Sequence, residues 1–265
     1  MTTEYGGRGD PARTMALLWG TPKGPTRGPK PGLSIDQIVR TAIAVADAEG
    51  LAALSMRRVA DRLGVGAMSL YTYIPGKAEL LDVMLDTVLG EETTLDSADG
   101  GWRAGLERSA RQDWALYRRH PWVLHIAGAR APLGPNALAR FESALRPVSG
   151  LGLTGREMDA VAALVAGYVR GAAQGALEAA LAAQRTGVTD AQWWTAHAPI
   201  LEQYFDPARY PTLASVDLSG AFDTPADGGE YFLQRALDDF EFGLQRVLDG
   251  IDAFIQRRSP QLDQR

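Results

Sequence analysis

The chain contains no cysteine and only three histidines in 265 residues. The lack of cysteine excludes disulfide bonds, thiolate metal sites and cysteine nucleophiles, and it is typical of a cytoplasmic protein. No run approaches the roughly 20 consecutive apolar residues of a membrane-spanning helix. The apolar run at residues 15–19 is too short for the hydrophobic region of a secretory signal peptide. We therefore expect a cytoplasmic protein that has no membrane partner.

Catalytic motifs are also missing. The sequence has no His-Glu-x-x-His, Gly-x-Ser-x-Gly or phosphate-loop pattern. His120 and His125 are five residues apart, a spacing that does not place two side chains on one face of a helix, so they do not indicate a metal pair. We expect no catalytic residues, no cofactor and no metal site. An enzyme remains one alternative, without a candidate active site to support it.

The net charge of −5 is small, so any surface that binds nucleic acid has to be local. One candidate is the N-terminal segment at residues 1–33, which is rich in glycine and proline and carries five basic side chains against two acidic ones. Such a composition disfavours a long helix or a central strand. We expect a flexible basic arm, which is either a solvated tail or a segment that contacts DNA phosphates.

From Ser34 onward, apolar residues recur at helical spacing, and no alternating run is long enough to be a strand. Ser34 is suited to cap a first helix and Gly50 to end it, and Ser55 is suited to cap a second. The pattern predicts an all-α fold. Glycine-rich residues 96–101 look like a joint between two regions.

A helix-turn-helix pattern follows the second cap. Two helices that cross steeply need a small residue at the crossing, a residue that tolerates positive φ in the turn, and apolar residues that point back. Ala60, Gly64 and the pair Val65 and Leu70 supply these in order. The spacing predicts an N-terminal three-helix DNA-binding domain with a short recognition helix at residues 67–73.

The outward side of this recognition helix would be small, hydroxylated or aromatic. Its residues are Ala67, Met68, Ser69, Tyr71, Thr72 and Tyr73. Small residues let a helix enter the major groove, which is roughly 12 Å wide, and hydroxyl groups reach phosphates or base edges. Arg57, near the start of the supporting helix, and Lys77, just past the recognition helix, are placed to contact the DNA backbone.

The helix-turn-helix stretch resembles that of a known protein family. The stretch "LSIDQIVRTAIAVADAEGLAALSMRRVADRLGVGAMSLYTYIPGKAELLDVML" is similar to the DNA-binding domain of TetR-family transcriptional repressors. Residues 120–142 and two long late helices resemble the C-terminal domain of the tetracycline repressor. By position, the residues that match the DNA contacts of the family are Arg57, Ala67, Ser69, Tyr71, Tyr73 and Lys77. Thr72 replaces a bulky aromatic of the tetracycline repressor, so the operator sequence does not carry over.

The resemblance implies an all-α homodimer that binds a near-palindromic DNA operator and holds a small-molecule pocket in each larger domain. We expect a sequence-specific transcriptional regulator, a repressor released by its ligand. The alternative is an architectural DNA-binding protein that has no ligand. The expected division of the chain is a basic arm at 1–33, a helix-turn-helix domain at 34–82, a ligand-binding and dimerisation domain at 83–258 and a tail at 259–265.

Two stripes in the larger domain predict helix packing. Small residues recur every fourth position, at Ala163, Gly167, Gly171, Gly175, Ala179 and Ala183. Apolar residues follow a heptad pattern at Leu233, Leu237, Phe240, Leu244, Val247, Ile251 and Phe254. Both stripes either pack inside one subunit or form a bundle with the same helices of a second subunit. We favour the dimer.

Aromatic residues of the larger domain are candidates for a ligand pocket. They are Trp102, Trp114, Tyr117 and Tyr168, together with His125. The alternative for each of them is an ordinary place in the core. Family analogy favours a pocket that binds a small, apolar or aromatic effector. The sequence does not identify the ligand, the operator or the regulated genes, nor does it distinguish repression from activation.

Overall fold

The computed structural model describes residues 4–5, 9–20, 33–91, 100–127, 132–218 and 231–262. The fold is built from helices, which confirms the all-α prediction. They are α1 (Pro11–Leu18), α2 (Ile35–Glu49), α3 (Met56–Leu63), α4 (Ala67–Tyr71), α5 (Lys77–Leu89), α6 (Gly101–Arg119), α7 (Pro135–Leu145), α8 (Gly155–Thr186), α9 (Asp190–Tyr204), α10 (Pro211–Leu218) and α11 (Tyr231–Leu262). Short 3-10 helices lie at Leu51–Ala53, Pro121–His125 and Arg146–Val148.

The described residues also contain one small departure from an all-helical fold. Strand β1 (Glu4–Tyr5) pairs in parallel with strand β2 (Ile126–Ala127). Each strand is two residues long, so neither has the alternation of apolar and polar residues by which a strand is found in a sequence. The pair joins the N-terminal segment to the turn that follows α6.

The expected caps define the first helices. The Ser34 side chain accepts a hydrogen bond from the backbone of Gln37, whose side chain bonds back to Ser34, so α2 starts with a capping box. Gly50 follows the last residue of α2, and the Ser55 side chain caps α3. These local signals fix both ends of α2 and the start of α3 close to where the sequence indicates them.

Helix α5 lies at the centre of the N-terminal half of the molecule. Its apolar side chains, such as Leu80 and Met84, are fully buried. Three acidic side chains of the same helix, Glu79, Asp82 and Asp86, are buried as well. A helix that is buried on nearly every side is covered by several neighbours, and α5 packs against α1, α2 and α7.

The expectation of a flexible arm is wrong for residues 11–18, which form α1. Asp10 accepts a hydrogen bond from the backbone of Arg13 and caps the helix, and Pro11 occupies the first helical position, where proline is favoured. Leu18 is only 8% exposed and belongs to the same core as the DNA-binding helices. An eight-residue helix that packs on α5 is therefore compatible with a segment rich in proline. Residues 21–32 lie outside the described part of the chain.

The chain divides into two compact units, one of residues 1–170 with 246–265 and one of residues 171–245. This division does not follow the expected boundary at residues 82 and 83. The reason is a continuous core in the first unit, in which side chains of α2 to α5 pack together with Leu116 and Trp122. Most of the expected joint at 96–101 lies outside the described residues.

The two stripes differ in their surroundings. On α11, the seam residues Phe240, Leu244 and Ile251 are buried within the chain. On α8, Gly167, Gly171 and the other members of the small-residue ridge face open space or are at most half-buried. The seam thus packs at least in part inside one subunit, whereas the ridge leaves a bare surface.

Helix α8 is both long and apolar. It is 32 residues long, and its most apolar 18-residue stretch has a mean hydropathy of at least 1.2, so by length and composition alone it could cross a membrane. Alanine and glycine supply much of this stretch, which is why no unbroken run stands out in the sequence. A third of the stretch is buried in the protein, and helices of soluble proteins pass the same test.

Candidate functional site

The turn between α3 and α4 has the geometry that the sequence predicts. Gly64 has φ +68° and ψ 30°, the left-handed conformation that glycine adopts most readily. Ala60 is buried at the crossing, and its carbonyl oxygen accepts a hydrogen bond of 3.1 Å from the backbone N–H of Val65. The turn therefore directs the chain from α3 into α4 without a steric conflict.

Helix α4 presents one buried anchor and an exposed opposite side. Leu70 is 0% exposed, whereas Met68 is 78% and Tyr71 is 45% exposed. Ser69 and Thr72 are exposed as well. Four neighbouring side chains thus form an outward surface, which we call the recognition surface: Met68, Ser69, Tyr71 and Thr72.

Two of the expected DNA contacts do not belong to this surface. Ala67 and Tyr73 are half-buried and pack against the core of the first unit. The helix is also shorter than expected, since it ends at Tyr71, and residues 72–73 form a turn that leads to the buried Ile74. The predicted helix at 67–73 was therefore two residues too long, and the DNA contacts expected at Ala67 and Tyr73 stay predictions.

The basic residues near α4 divide into two groups. Arg57 on α3 is exposed, and the half-buried Lys77 is the first residue of α5. By contrast, Arg58 and Arg62 both form salt bridges of 2.7 Å with Glu49 at the end of α2. The hydrogen bond from Arg58 lowers the pKa of the Glu49 carboxyl. These salt bridges link α2 to α3 between residues that are 9 and 13 positions apart in the sequence. Such separations give no periodic signal in the sequence.

A buried histidine joins the helices of the N-terminal half to the segment after α6. His120 is 3% exposed, with Nδ1 2.8 Å from Asp47 Oδ1 and Nε2 3.1 Å from Glu91 Oε2. The indole N–H of Trp122 donates to the same Asp47 oxygen at 2.7 Å. One carboxylate therefore lies at each nitrogen of the His120 ring. Burial alone would raise the pKa of Glu91, but the hydrogen bonds from His120 and Arg119 outweigh it and lower that pKa.

The candidate ligand residues lie at different places along the larger domain. Trp102 is in the first turn of α6, and Trp114 and Tyr117 are near its end. At a rise of about 1.5 Å per residue, Trp102 is roughly 20 Å from Tyr117 along the helix axis, so they do not line one small pocket. His125 ends the 3-10 helix after α6, and Tyr168 is on α8. Trp114 is buried and the other four are half-buried.

A polar cluster inside the larger domain went unpredicted. Asp113 on α6 and Arg140 on α7 form a salt bridge that is mostly buried. Tyr117 hydrogen-bonds to Arg170 of α8, which also donates to the carbonyl oxygens of Leu124 at 2.9 Å and Ile126 at 3.3 Å. Burial, followed by the charge of Asp113, raises the pKa of Tyr117. We call Asp113, Tyr117, Arg140 and Arg170 the interior polar cluster; a lone arginine inside the apolar stretch of α8 was the signal that could have revealed it.

The chain is similar to known proteins over most of its length. The profile described as "Bacterial regulatory proteins, tetR family" matches residues 38–84, and the profile "Tetracyclin repressor-like, C-terminal domain" matches residues 96–255. The curated HTH-type transcriptional repressor DrrR1 from Streptomyces coeruleorubidus is 47% identical over 241 residues, which are 91% of this chain and 89% of the relative.

Solved structures of one Streptomyces coelicolor protein resemble the whole fold. Apo ActR matches with a TM-score of 0.65 and 26% identity, covering 86% of this chain and 99% of that chain. The complex of the TetR family protein ActR with actinorhodin matches with a TM-score of 0.63 and 27% identity, covering 83% and 96%. Together with the helix-turn-helix geometry, these matches identify a DNA-binding transcriptional regulator rather than an enzyme, and the chain belongs to the tetR family of bacterial regulatory proteins.

Proposed function

We propose that the protein is a cytoplasmic, homodimeric repressor that leaves its DNA operator when a small apolar or aromatic molecule binds to the larger domain. The observation that carries this proposal is the recognition surface, an exposed face on a helix whose opposite side is anchored by the fully buried Leu70. A rigid anchor behind an exposed face is what a helix needs to enter the major groove in a fixed orientation.

The chemistry of the recognition surface suits base and phosphate contacts. The hydroxyl groups of Ser69, Tyr71 and Thr72 can donate to or accept from base edges and phosphate oxygens, and the methyl group of Thr72 can touch thymine. Arg57 and Lys77 would position the domain through phosphate contacts. The charges of Arg58 and Arg62 are offset by Glu49, so we assign them a lesser part.

A gel-shift experiment at several salt concentrations tests this assignment, with an operator found by genome-wide mapping of bound DNA. Lys77→Ala should weaken binding to all sequences and reduce the salt slope by about one. Tyr71→Ala should weaken binding without unfolding the protein. Tyr204→Ala, at an exposed tyrosine of α9, is the matched control and should bind as wild type does. Unchanged affinity of both test variants would refute the docking.

The bare ridge of α8 supports a dimer. A Cβ atom added at Gly167, Gly171 or Gly175 would meet no atom within 4 Å, so this side of the helix leaves room for a close approach by another helix. Leu164 nearby is half exposed. We expect light scattering to give twice the chain mass of 28.5 kDa at micromolar concentration, and a monomer would contradict the proposal.

The effector proposal is supported by the ActR complex with actinorhodin and by the interior polar cluster. Arg170 and Tyr117 offer hydrogen-bond donors among buried side chains, and Trp114 offers an aromatic surface. A planar aromatic molecule with oxygen substituents would use both. Binding would act through α5, which connects the recognition helix to the larger domain, since a shift of α5 changes the separation of the two recognition helices.

A compound screen that begins with actinorhodin tests the effector. Loss of operator binding together with a change in tryptophan fluorescence is the expected result, and a differential affinity of about 1–3 kcal/mol would lower operator affinity about 5- to 150-fold. A ligand that changes fluorescence and leaves operator affinity untouched would argue against release. A protein that never responds to small molecules would favour the architectural alternative.

A further inference from the structure

The N-terminal segment contacts the larger domain at two separate places. Its first residues pair as strand β1 with β2, so that Glu4 lies opposite Ile126. Beyond α1, the indole N–H of Trp19 donates a hydrogen bond of 2.9 Å to the carbonyl oxygen of Leu133. Between these points, Leu18 is buried in the core of the DNA-binding helices. The segment thus spans from that core to the turn before α7.

The turn that Trp19 holds leads directly into a tight joint between α5 and α7. Asp86 of α5 is 4% exposed, and its carboxylate accepts hydrogen bonds from the backbone N–H of Ala137 at 2.9 Å and from the side chain of Asn136 at 3.2 Å. The first turn of α7 is therefore capped by a side chain of another helix. A Cβ atom at Gly134 would overlap the Asp86 carboxylate, so the chain before α7 lies directly against that side chain.

Helix α1 is a second neighbour that holds α5 in place. It packs along α5, and the backbone at Gly9 runs so close to the buried Glu79 that a Cβ atom there would overlap its side chain. Helix α5 thus contacts both α1 and the start of α7. The hydrogen bond from Trp19 to Leu133 connects these two neighbours of α5 to each other.

We propose that α1 is a regulatory clasp that ties α5 to the start of α7 and thereby fixes the position of the recognition helix relative to the larger domain. This inference rests on the proposed function, because the position of α5 is what an effector would change. Without the clasp, α5 can take other positions, and only a fraction of the molecules present the half-site spacing of the operator. The apparent affinity falls by that fraction.

Trp19→Phe is the variant that tests the clasp, because it removes the indole donor and keeps an aromatic ring at the C-terminal end of α1. Losing one net hydrogen bond corresponds to about a 2- to 10-fold change in an equilibrium constant. We expect operator affinity to fall by up to that factor with an unchanged salt slope, since no charge is lost. We also expect faster amide hydrogen exchange in the first turn of α7, at unchanged overall helicity. The hydrogen-exchange measurement needs no DNA, so it still tests the clasp if operator binding fails.

Two further variants separate the clasp from a DNA-contacting arm. Arg13→Gln removes an exposed charge of α1 and should leave affinity, salt slope and exchange as in wild type. Gly134→Ala should push α7 away from Asp86 directly and speed hydrogen exchange at the same amides. Gly155→Ala, where an added Cβ meets no atom within 4 Å, should not. Wild-type exchange in both Trp19→Phe and Gly134→Ala would overturn the clasp. If Arg13→Gln reduces the salt slope of operator binding while Trp19→Phe changes neither affinity nor exchange, α1 contacts DNA and is not a clasp.

Discussion

Replacing Gly64 by alanine perturbs the turn on which the recognition helix depends. A residue with a Cβ atom in the left-handed conformation costs roughly 1–2 kcal/mol, and Gly64 has φ +68°. No atom lies within 4 Å of the position that the new Cβ would take, so no steric clash adds to this conformational cost. We expect the free energy of unfolding to fall by about 1–2 kcal/mol and Tm by roughly 2–8 °C for a chain of this size.

Gly66→Ala is the matched control for this prediction. Gly66 lies two residues further on, also has open space around it, and has φ −70°. Its replacement gains about 0.4–1 kcal/mol from the lower entropy of the unfolded chain and loses a similar amount because alanine caps a helix poorly. Urea unfolding followed by circular dichroism measures both variants. Equal losses in the two variants would refute the argument from the left-handed turn.

Two further predictions concern the buried Leu70 and the contacts of His120. Leu70→Ala should lower the free energy of unfolding by about 2–5 kcal/mol, because it leaves a cavity behind the recognition surface; a loss below 1 kcal/mol in chemical unfolding would show that Leu70 is not an anchor. The pKa of Glu91 is lowered in the folded protein. The Glu91 carboxylate therefore stabilises the fold above its unfolded pKa, which is near 4.5, and this stabilisation is lost as the pH falls through the folded pKa. Glu91→Gln should therefore flatten the acid side of the stability curve, whereas Glu142→Gln, at an exposed site of α7, should leave it unchanged.

Local signals account for most of what the sequence predicts correctly. The capping side chains of Ser34 and Ser55 act within three residues of their partners, so they can be read from adjacent positions. The helix-turn-helix follows the same logic, since Ala60, Gly64 and Leu70 lie within eleven positions. The predicted end of the recognition helix was two residues too late, because Tyr73 packs against the core, a tertiary contact that adjacent positions do not reveal.

Contacts between distant segments had no such signal. The bond from Trp19 to Leu133 joins residues 114 positions apart, and the contact of Asp47 with His120 joins residues 73 positions apart. Neither pair belongs to a periodic pattern or a motif. The folding of α1 depends on the apolar surface of α5, which a composition rich in proline and glycine does not reveal. The interior polar cluster was missed because its four members come from three helices.

Because the chain has no native cysteine, a single introduced thiol can test whether the recognition surface enters the major groove. Ser69→Cys would place a single thiol on that surface for attachment of an iron chelate that cleaves nearby DNA. We expect two clusters of operator cleavage, centred about 34–36 Å apart, one for each protomer of the dimer. Ser149→Cys, at an exposed position in the larger domain, is the control and should cleave weakly or not at all. Operator that is bound but not cleaved from position 69, or cleaved equally from position 149, would show that the recognition surface does not enter the major groove.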